Sequence, residues 1–529
     1  MVTITGLAGK QFLPDSEDYP LWQWQYALST YELDHDMNPG LIVQPQNKDD
    51  IKRAIAYAKS HKKAIAIRTG GHQYSGASST GRHNILLDLK TTFQAPEDLV
   101  YFERGSRSFA SVRASVSHSV GAFNAFLGEH HSFVPHGQCT QVYLGGHVQT
   151  GGYGQLARSF GLFGDHVLAL EIIDHDGRER EITRASDPEL FFAWLGGSPG
   201  NLGVLTHFLI EVHRDADYVG SIGMRAVHLY DTAKLRKLLG YLAEMSDDEN
   251  FPRNYDLCIG VLSSSFDVPD GLDSKMRDEH GEIFGHNGFP DWPSIIMVYI
   301  QFVPFSRDDK PDMGFFEKFR TGCLVHSPLE EMPMSELTAQ WIFRNTREFD
   351  LPYVKRTYST KSTTLVKDGW VDWVVGRIDE IVGVVDNGQW LSAQLQCFGG
   401  KNSMVTRKAG NGTSYSWRDT TLCMIVDNFH KPEKKAEAEA WEATNDKEAV
   451  GAHGIFSRED RRVLWGSYGD FDLDAVWHTY FEDRSKYERL MRTRRRADPH
   501  GTFTPNTFSV KRAEAVAVAS PHGYLRAHL

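Results

Sequence analysis

Apolar positions along the first 213 residues recur in two rhythms. Leu41-Ile42-Val43 is a short apolar run that predicts a strand, and beyond Asn47 the residues Ile51, Ala54, Ile55 and Ala58 fall at helical spacing. Asn47 is placed to cap that helix, and Asp49 and Asp50 stand in its first turn, where carboxylates are favoured. His61-Lys62-Lys63 ends it. A second apolar run, Ala64-Ile65-Ala66-Ile67, and a third over residues 84–89 complete a β-α-β-β order, which fits a small α+β subdomain. Farther on, Val167-Leu168-Ala169-Leu170-Glu171-Ile172-Ile173 and Glu179-Arg180-Glu181-Ile182 flank Asp176-Gly177. That dipeptide predicts a hairpin, because its turn needs positive φ. Leu190-Phe191-Phe192-Ala193-Trp194-Leu195 then leads through Asn201-Leu202-Gly203-Val204-Leu205-Thr206 into a strand ending near His213.

From about residue 215 to 462 the rhythm changes. Long apolar runs at 294–302 and 389–398 alternate with amphipathic stretches such as 233–245, the pattern of an antiparallel sheet covered by helices. Residues 474–497 predict one long helix carrying Val476, Tyr480, Tyr487, Leu490 and Met491, and Asp498-Pro499-His500-Gly501-Thr502-Phe503 follows it. Residues 1–40 read as an irregular lead-in with aromatics at Trp22, Trp24 and Tyr26.

Composition narrows the class. At 529 residues the chain is too long for one ordinary core, since domains run to roughly 150 residues, so two large domains are expected. With 41% hydrophobic and 24% charged residues it is of the ordinary globular kind. A formal charge of -12 argues against nucleic acid as a partner. The one dense basic run, Arg492 with Arg494-Arg495-Arg496, reads as the cationic last turn of a helix. The five cysteines are odd in number and scattered, so neither a disulfide framework nor a metal site is indicated. No basic start with an apolar run and no bilayer-length apolar stretch is present. The expectations are a cytoplasmic protein with no membrane partner, although a secreted mature form would read the same, and a monomer or small homo-oligomer.

Two stretches carry the candidate chemistry. The first is Arg68-Thr69-Gly70-Gly71-His72-Gln73-Tyr74-Ser75-Gly76; the second runs from Cys139 through Val142, Gly145-Gly146-His147 and Gly151-Gly152-Tyr153-Gly154 to Asp165. In each, glycines surround one nucleophilic side chain, an imidazole in the first and a thiol in the second. Bare backbone of this kind can approach a flat, phosphate-bearing ligand closely, so the pair reads as a cofactor cradle with two anchors.

Together, in this order, the two stretches resemble the FAD-linked oxidases of the vanillyl-alcohol-oxidase superfamily, with their PCMH-type FAD-binding domain. The branch they are most similar to is the berberine-bridge-enzyme-like one, which includes carbohydrate oxidases. The resemblance covers about the first 213 residues and returns near the C-terminus, where Asp498-Pro499-x-x-x-Phe503 also matches and Asn506 is a further cofactor candidate. It implies an α+β fold: a two-subdomain FAD-binding domain over residues 1–214, a substrate domain with an antiparallel sheet over 215–462, and a return to the FAD-binding domain over 463–529. It implies FAD bonded through both His72 and Cys139, and places Gly203 and Val204 at the flavin pyrimidine edge. It also implies, from Val142 three residues after the cysteine, that oxygen reaches the flavin and hydrogen peroxide is released. Small-molecule substrate and O2 are the expected partners.

On the substrate side, Tyr153 matches a family active-site tyrosine, and Gln394 and Gln396 match a strand that presents polar groups to the flavin. Some relatives have a carboxylate there; amides cannot act as a base at neutral pH. In many relatives the base is the tyrosine of a Tyr-x-Asn motif, whose positions here hold Trp465 and Ser467. Tyr468 is the first replacement and Tyr153 the second. The expected reaction is oxidation of a hydroxyl-bearing carbon of a sugar or other alcohol; the alternative is tailoring of an aromatic, alkaloid or polyketide product. Trp370, Trp373, Trp390 and Trp417 are candidate sugar-stacking platforms, with burial in the core as the competing reading. Two other classes compete. Gly196-Gly197-Ser198-Pro199-Gly200 spells a hydrolase nucleophile elbow, but the residue after its serine is a proline, which has no N–H for an oxyanion hole. The second is a non-catalytic protein that keeps flavin as a structural element.

Overall fold

The computed structural model describes residues 2–23, 38–73, 78–103, 109–263, 279, 293–341, 351–384, 387–459, 462, 473–512, 517–519 and 525–527. Strands β1 (Lys10–Phe12), β2 (Leu41–Gln44), β3 (Ile65–Arg68) and β4 (Ile85–Asp88) form a sheet of order β1-β2-β4-β3. β2 and β3 run parallel to β4, and β1 lies antiparallel to β2. The helix Lys48–Ser60 crosses from β2 to β3 and buries Ile51, Ala54, Ile55 and Ala58, the positions its spacing predicts. Asn47 caps it by accepting from the Asp50 N–H at 3.0 Å. Asp50 itself is buried and accepts from the backbone of Ala8, Gly9 and Gln46. It therefore staples the N-terminal lead-in to the helix, a larger part than a carboxylate set against the helix dipole.

The second sheet is antiparallel. It comprises β5 (Leu99–Phe102), β6 (Ala110–Ser115), β7 (Ser132–Phe133), β8 (Val167–Ile173), β9 (Glu179–Thr183) and β10 (Val204–Arg214) in the order β5-β6-β10-β8-β9, with β7 beside β10. Gly177, at φ +78°, makes the turn between β8 and β9. These two sheets share one core with Leu473, Tyr487, Leu490, Phe503 and Phe508, so the end of the chain does return to its beginning.

The third sheet has seven strands among the described residues, all antiparallel: β11 (Ile222–Leu229), β12 (Tyr255–Leu262), β13 (Ile295–Phe302), β14 (Val325–His326), β15 (Tyr353–Thr360), β16 (Gln389–Cys397) and β17 (Leu422–His430). Their order is β14-β11-β13-β12-β16-β17-β15. Side chains alternate between the two faces. On one face Leu257, Ile259, Leu391, Leu395 and Met424 pack under helices Thr232–Asp247, Met313–Arg320, Trp370–Val382 and Lys435–Ala449. On the other, Cys258, Met297 and Tyr299 meet Phe133, Leu156 and Phe160, while Cys423 and Ile425 meet Tyr153 and Ala157. Both faces are thus covered, which is why these strands read as unbroken apolar runs. Among the described residues no helix is long and apolar enough to cross a membrane.

One expectation fails. Residues 474–497 form two helices, Leu473–Tyr480 and Arg484–Ala497, instead of one. Val476 leaves helical geometry at φ −112°, and Asp483 starts the second helix by accepting from the Lys486 N–H at 2.8 Å. The basic run does occupy the last turn, but Arg494 is 1% exposed and ion-paired with the wholly buried Asp498 at 2.8 Å. Asp498 also accepts from the backbone of Thr502 and Phe503, and the Thr502 carbonyl accepts from Ile65 at the start of β3. This node ties the C-terminal return to the strand that delivers Arg68 and His72. Removing one partner of a buried ion pair costs about 3–5 kcal/mol. Asp498→Asn is therefore expected to lower the unfolding free energy by that order, measured by chemical unfolding, while Arg492→Gln on the exposed side of the same helix changes it little.

Candidate functional site

The two glycine-rich stretches meet back to back. A Cβ on Gly70 would lie 2.8 Å from the Tyr143 ring and 3.1 Å from the Gln141 carbonyl, and one on Gly145 would lie 2.8 Å from Thr69. Side chains at either position would drive the loops apart. Gly71, at φ +69°, turns the chain into the half-buried His72. Gln73 follows half-buried; Tyr74, Ser75 and Gly76 lie outside the described residues. Arg68, at the end of β3, is spent on anchoring: its guanidinium pairs with Asp88 at 2.6 Å and donates to the Trp22 carbonyl.

The thiol-bearing loop is held by a turn in which the Val142 N–H donates to the Cys139 carbonyl at 3.2 Å, and the Val142 carbonyl accepts from Val120 at 2.7 Å. Cys139 is a free, half-buried thiol. Burial pushes Cys258 up to about 12 and also raises Cys397 and Cys423, so these three are inert, and Cys323 is raised for the same reason. The helix Leu144–Thr150 follows; a Cβ on Gly146 would meet nothing within 4 Å, while Leu144 and Gly145 just before it are packed. His147 turns inward: Nε2 accepts from the Gly137 N–H at 3.2 Å, and burial, with His136 beside it, drops its pKa to about 3. It is a neutral spacer under the Gly151-Gly152 turn, where a Cβ on Gly152 would strike its ring at 2.6 Å.

Gly154 is the tightest point. A Cβ there would lie 1.8 Å from the His136 carbonyl, and the Gly154 carbonyl accepts from Gln396 Nε2. Gln396 on β16 is therefore a strut between the sheet and the glycine turn. Gln394, one turn of the pleat away on the same face, is half-buried with no hydrogen bond to its side chain among the described residues, and so is free to meet a ligand. Tyr153 lies between them and the cofactor loops, its ring edge-on to Phe398 at 6.0 Å. Gly203, at φ +138°, backs onto the Ile173 carbonyl and starts β10 with Val204 paired to Ile173. Asn506 donates to the Ser79 carbonyl at 2.9 Å. Trp465, Ser467 and Tyr468 lie outside the described residues.

Of the tryptophans, Trp370 is wholly buried under the third sheet's helices, and Trp373 donates to Glu448. Trp417 donates to the Thr479 carbonyl beneath Arg462. Trp390, opposite Phe429 on β17, shares by strand alternation the face of Gln394. Ser198 donates to the Phe508 carbonyl at 3.0 Å, so the Gly-x-Ser-x-Gly run is a packed junction and no nucleophile elbow.

The sequence reading missed two features. Lys355 on β15 and Asp427 on β17 form a buried ion pair at 2.9 Å on the Gln394 face; Asp427, which follows Cys423 and Ile425 at alternate positions, could have been placed there by strand parity. Arg158, four residues after Gly154, is wholly buried and donates to the carbonyls of Phe251, Pro252, Tyr255 and Gly399. Nothing local in the sequence distinguishes it from a surface arginine.

Residues 39–183 match the family model of the FAD binding domain. The aclacinomycin-N/aclacinomycin-A oxidase of Streptomyces galilaeus is 32% identical over 178 residues, 32% of this chain and 31% of that protein. Berberine bridge enzyme-like 12 of Arabidopsis thaliana is 32% identical over 175 residues, 33% of this chain and 32% of that one. The matched segments thus span about a third of these relatives' length. The likeness in fold extends over nearly everything: the glucooligosaccharide oxidase of Acremonium strictum, with its 6-S-cysteinyl, 8α-N1-histidyl FAD, superposes with a TM-score of 0.68 at 17% identity, covering 96% of this chain and 97% of that one. Both glycine stretches, with their imidazole and half-buried thiol, lie within the matched segment: residues 39–183 are an FAD-binding domain of the kind carried by berberine-bridge-enzyme-like proteins, and the chain takes the fold seen in the glucooligosaccharide oxidase.

Proposed function

We propose that this protein is an FAD-dependent oxidase that holds FAD covalently through His72 and Cys139, oxidises a hydroxyl-bearing carbon, and passes the electrons to O2 to form hydrogen peroxide. The observation that carries this reading is the close packing of Gly70 on Gln141 and Tyr143, which fixes the imidazole-bearing loop against the thiol-bearing loop. Cys139 is a free, half-buried thiol in the second of these loops. Bound there, FAD supplies a two-electron acceptor. The chain's own residues would orient the substrate: Gln394 offers an amide to a hydroxyl, Gln396 keeps the sheet at a fixed height over Gly154, and the proton would go to Tyr468 first or, as the second candidate, to Tyr153.

Sugar or oligosaccharide substrates are favoured by Trp390 and Gln394 on one face of the third sheet. Tailoring of an aromatic natural product is the second reading, favoured by the likeness to aclacinomycin oxidase.

His72→Ala and Cys139→Ala are each expected to leave flavin fluorescence on the denatured band through the remaining bond, and the double variant to lose it. A wild-type band without fluorescence refutes the attachment. Anaerobic mixing with cellobiose, xylobiose and coniferyl alcohol is expected to bleach the flavin with at least one of them; a flavin that none reduces leaves the non-catalytic reading. Gln394→Ala should slow that reduction by about tenfold, the equivalent of ~1.4 kcal/mol, with flavin content unchanged. Val142→Ile should slow reoxidation in air more than it slows reduction.

A further inference from the structure

Gln394 has little to brace its amide except the strand that carries it. Directly across the sheet it faces Gly260 on β12 and Ile425 on β17, which offer it no polar side chain. Where the amide stands is therefore set by β16. Two contacts from one short segment hold that strand near its C-terminal end: the Gly154 carbonyl accepts from Gln396, about 7 Å along the strand from Gln394, and four residues after Gly154 the Arg158 Nε donates to the Gly399 carbonyl at 2.7 Å. The helix that carries Arg158, Ala157–Phe160, is fixed on the neighbouring strands in turn. The Arg158 and Ser159 N–H groups donate to Asp256 Oδ1 on β12 at 2.9 and 3.3 Å, the Ser159 hydroxyl donates to the same carboxylate, and Gln301 on β13 donates to it at 3.1 Å.

The remaining guanidinium nitrogens donate to Phe251, Pro252 and Tyr255 at 2.6, 2.5 and 2.9 Å, the carbonyls that lead into β12 and begin it. One side chain thus joins the start of β12 to the end of β16, its partner in the sheet. Stability alone does not account for an arginine at this place. It is wholly buried, and among the described residues its guanidinium donates to no carboxylate. Taking such a charge out of water costs several kcal/mol, and an apolar side chain of similar size often packs as well. What the apolar side chain lacks is direction. A planar fork presents its N–H groups at set angles, so four carbonyls on one guanidinium are held in one arrangement. The backbone makes room for it: Gly400 has φ +91°, and a Cβ there would lie 2.9 Å from Arg158 Nη2.

We propose that Arg158 is a positioning residue for substrate oxidation, which acts through Gly399 on β16 and so places the Gln394 amide against the substrate. This rests on the oxidase reading of Gln394 given above. Arg158 itself touches neither substrate nor flavin in this role.

The test uses the full-length, FAD-loaded protein and pairs Arg158→Lys, which keeps the charge but not the fork, with Gln394→Ala. Anaerobic flavin reduction is followed, per flavin, with whichever of cellobiose, xylobiose and coniferyl alcohol bleaches it. Arg158→Lys is expected to slow the limiting rate about tenfold while moving the half-saturating concentration less than about twofold, with reoxidation by O2 unchanged. In the Gln394→Ala background the same change should slow it by less than about twofold, because the amide it places is gone. Crystals of Arg158→Lys should show Gln396 drawn off the Gly154 carbonyl and β16 shifted. Should that variant not fold, Ser159→Ala, which loosens the same helix from Asp256, is read in the same cycle and should slow reduction about threefold. Losses that multiply to about a hundredfold in the double variant, an Arg158→Lys rate equal to the wild type, or a β16 that does not move each overturn the positioning role alone. A flavin that none of the three compounds reduces overturns the oxidase reading, and the positioning role with it.

Discussion

At Gly154 three parts of the molecule are closed onto one another. Its α-carbon sits so near the His136 carbonyl that any side chain is excluded, and its own carbonyl accepts from Gln396 on the third sheet. The loop before Cys139, the glycine turn after His147 and the sheet opposite are thereby brought to one spot. A backbone-to-backbone approach of this sort cannot be adjusted by a rotamer, so the distance between sheet and cofactor loops is set by covalent geometry. Gln396 is better understood as part of that spacing than as chemistry, which leaves Gln394 as the half-buried amide on the same face.

Neutral imidazoles surround this point. Burial drives His147 and His166 well below the ordinary range and lowers His136 and His213 in the same way. These histidines are therefore neutral, and the charge beside the loops is carried by paired groups: Arg68 with Asp88 at the end of β3, and Arg158 on its carbonyls next to Asp256. Asp165 with Arg418 holds the loop that brings Tyr415 onto Gly164, and Arg494 with Asp498 holds the C-terminal return. Such pairs add geometry more than stability, because the cost of burying their charges offsets much of their attraction.

Most of the architecture was legible because it is written in period and in glycine. The 3.6-residue spacing of Ile51 to Ala58, the Asp-Gly turn and the two glycine stretches each specify local geometry that tertiary packing then keeps. The 474–497 segment misled because its apolar spacing continues across Asp483, and only the competing helix start there separates two helices. The candidate site was legible through His72 and Cys139, residues whose chemistry is local. Lys355 and Asp427 were not, since they are 72 positions apart and meet only through strand register.

Arg158 sits at the seam between the glycine turn and the third sheet, and its guanidinium reaches four carbonyls belonging to residues 251–255 and 399. The Arg158 and Ser159 N–H groups both donate to Asp256 of β12 as well. A clasp of this kind leaves no pivot about which the upper storey could swing like a visor. Opening that seam would strand a buried guanidinium and four carbonyls at one stroke, so the gap between glycine turn and sheet is settled when the chain folds.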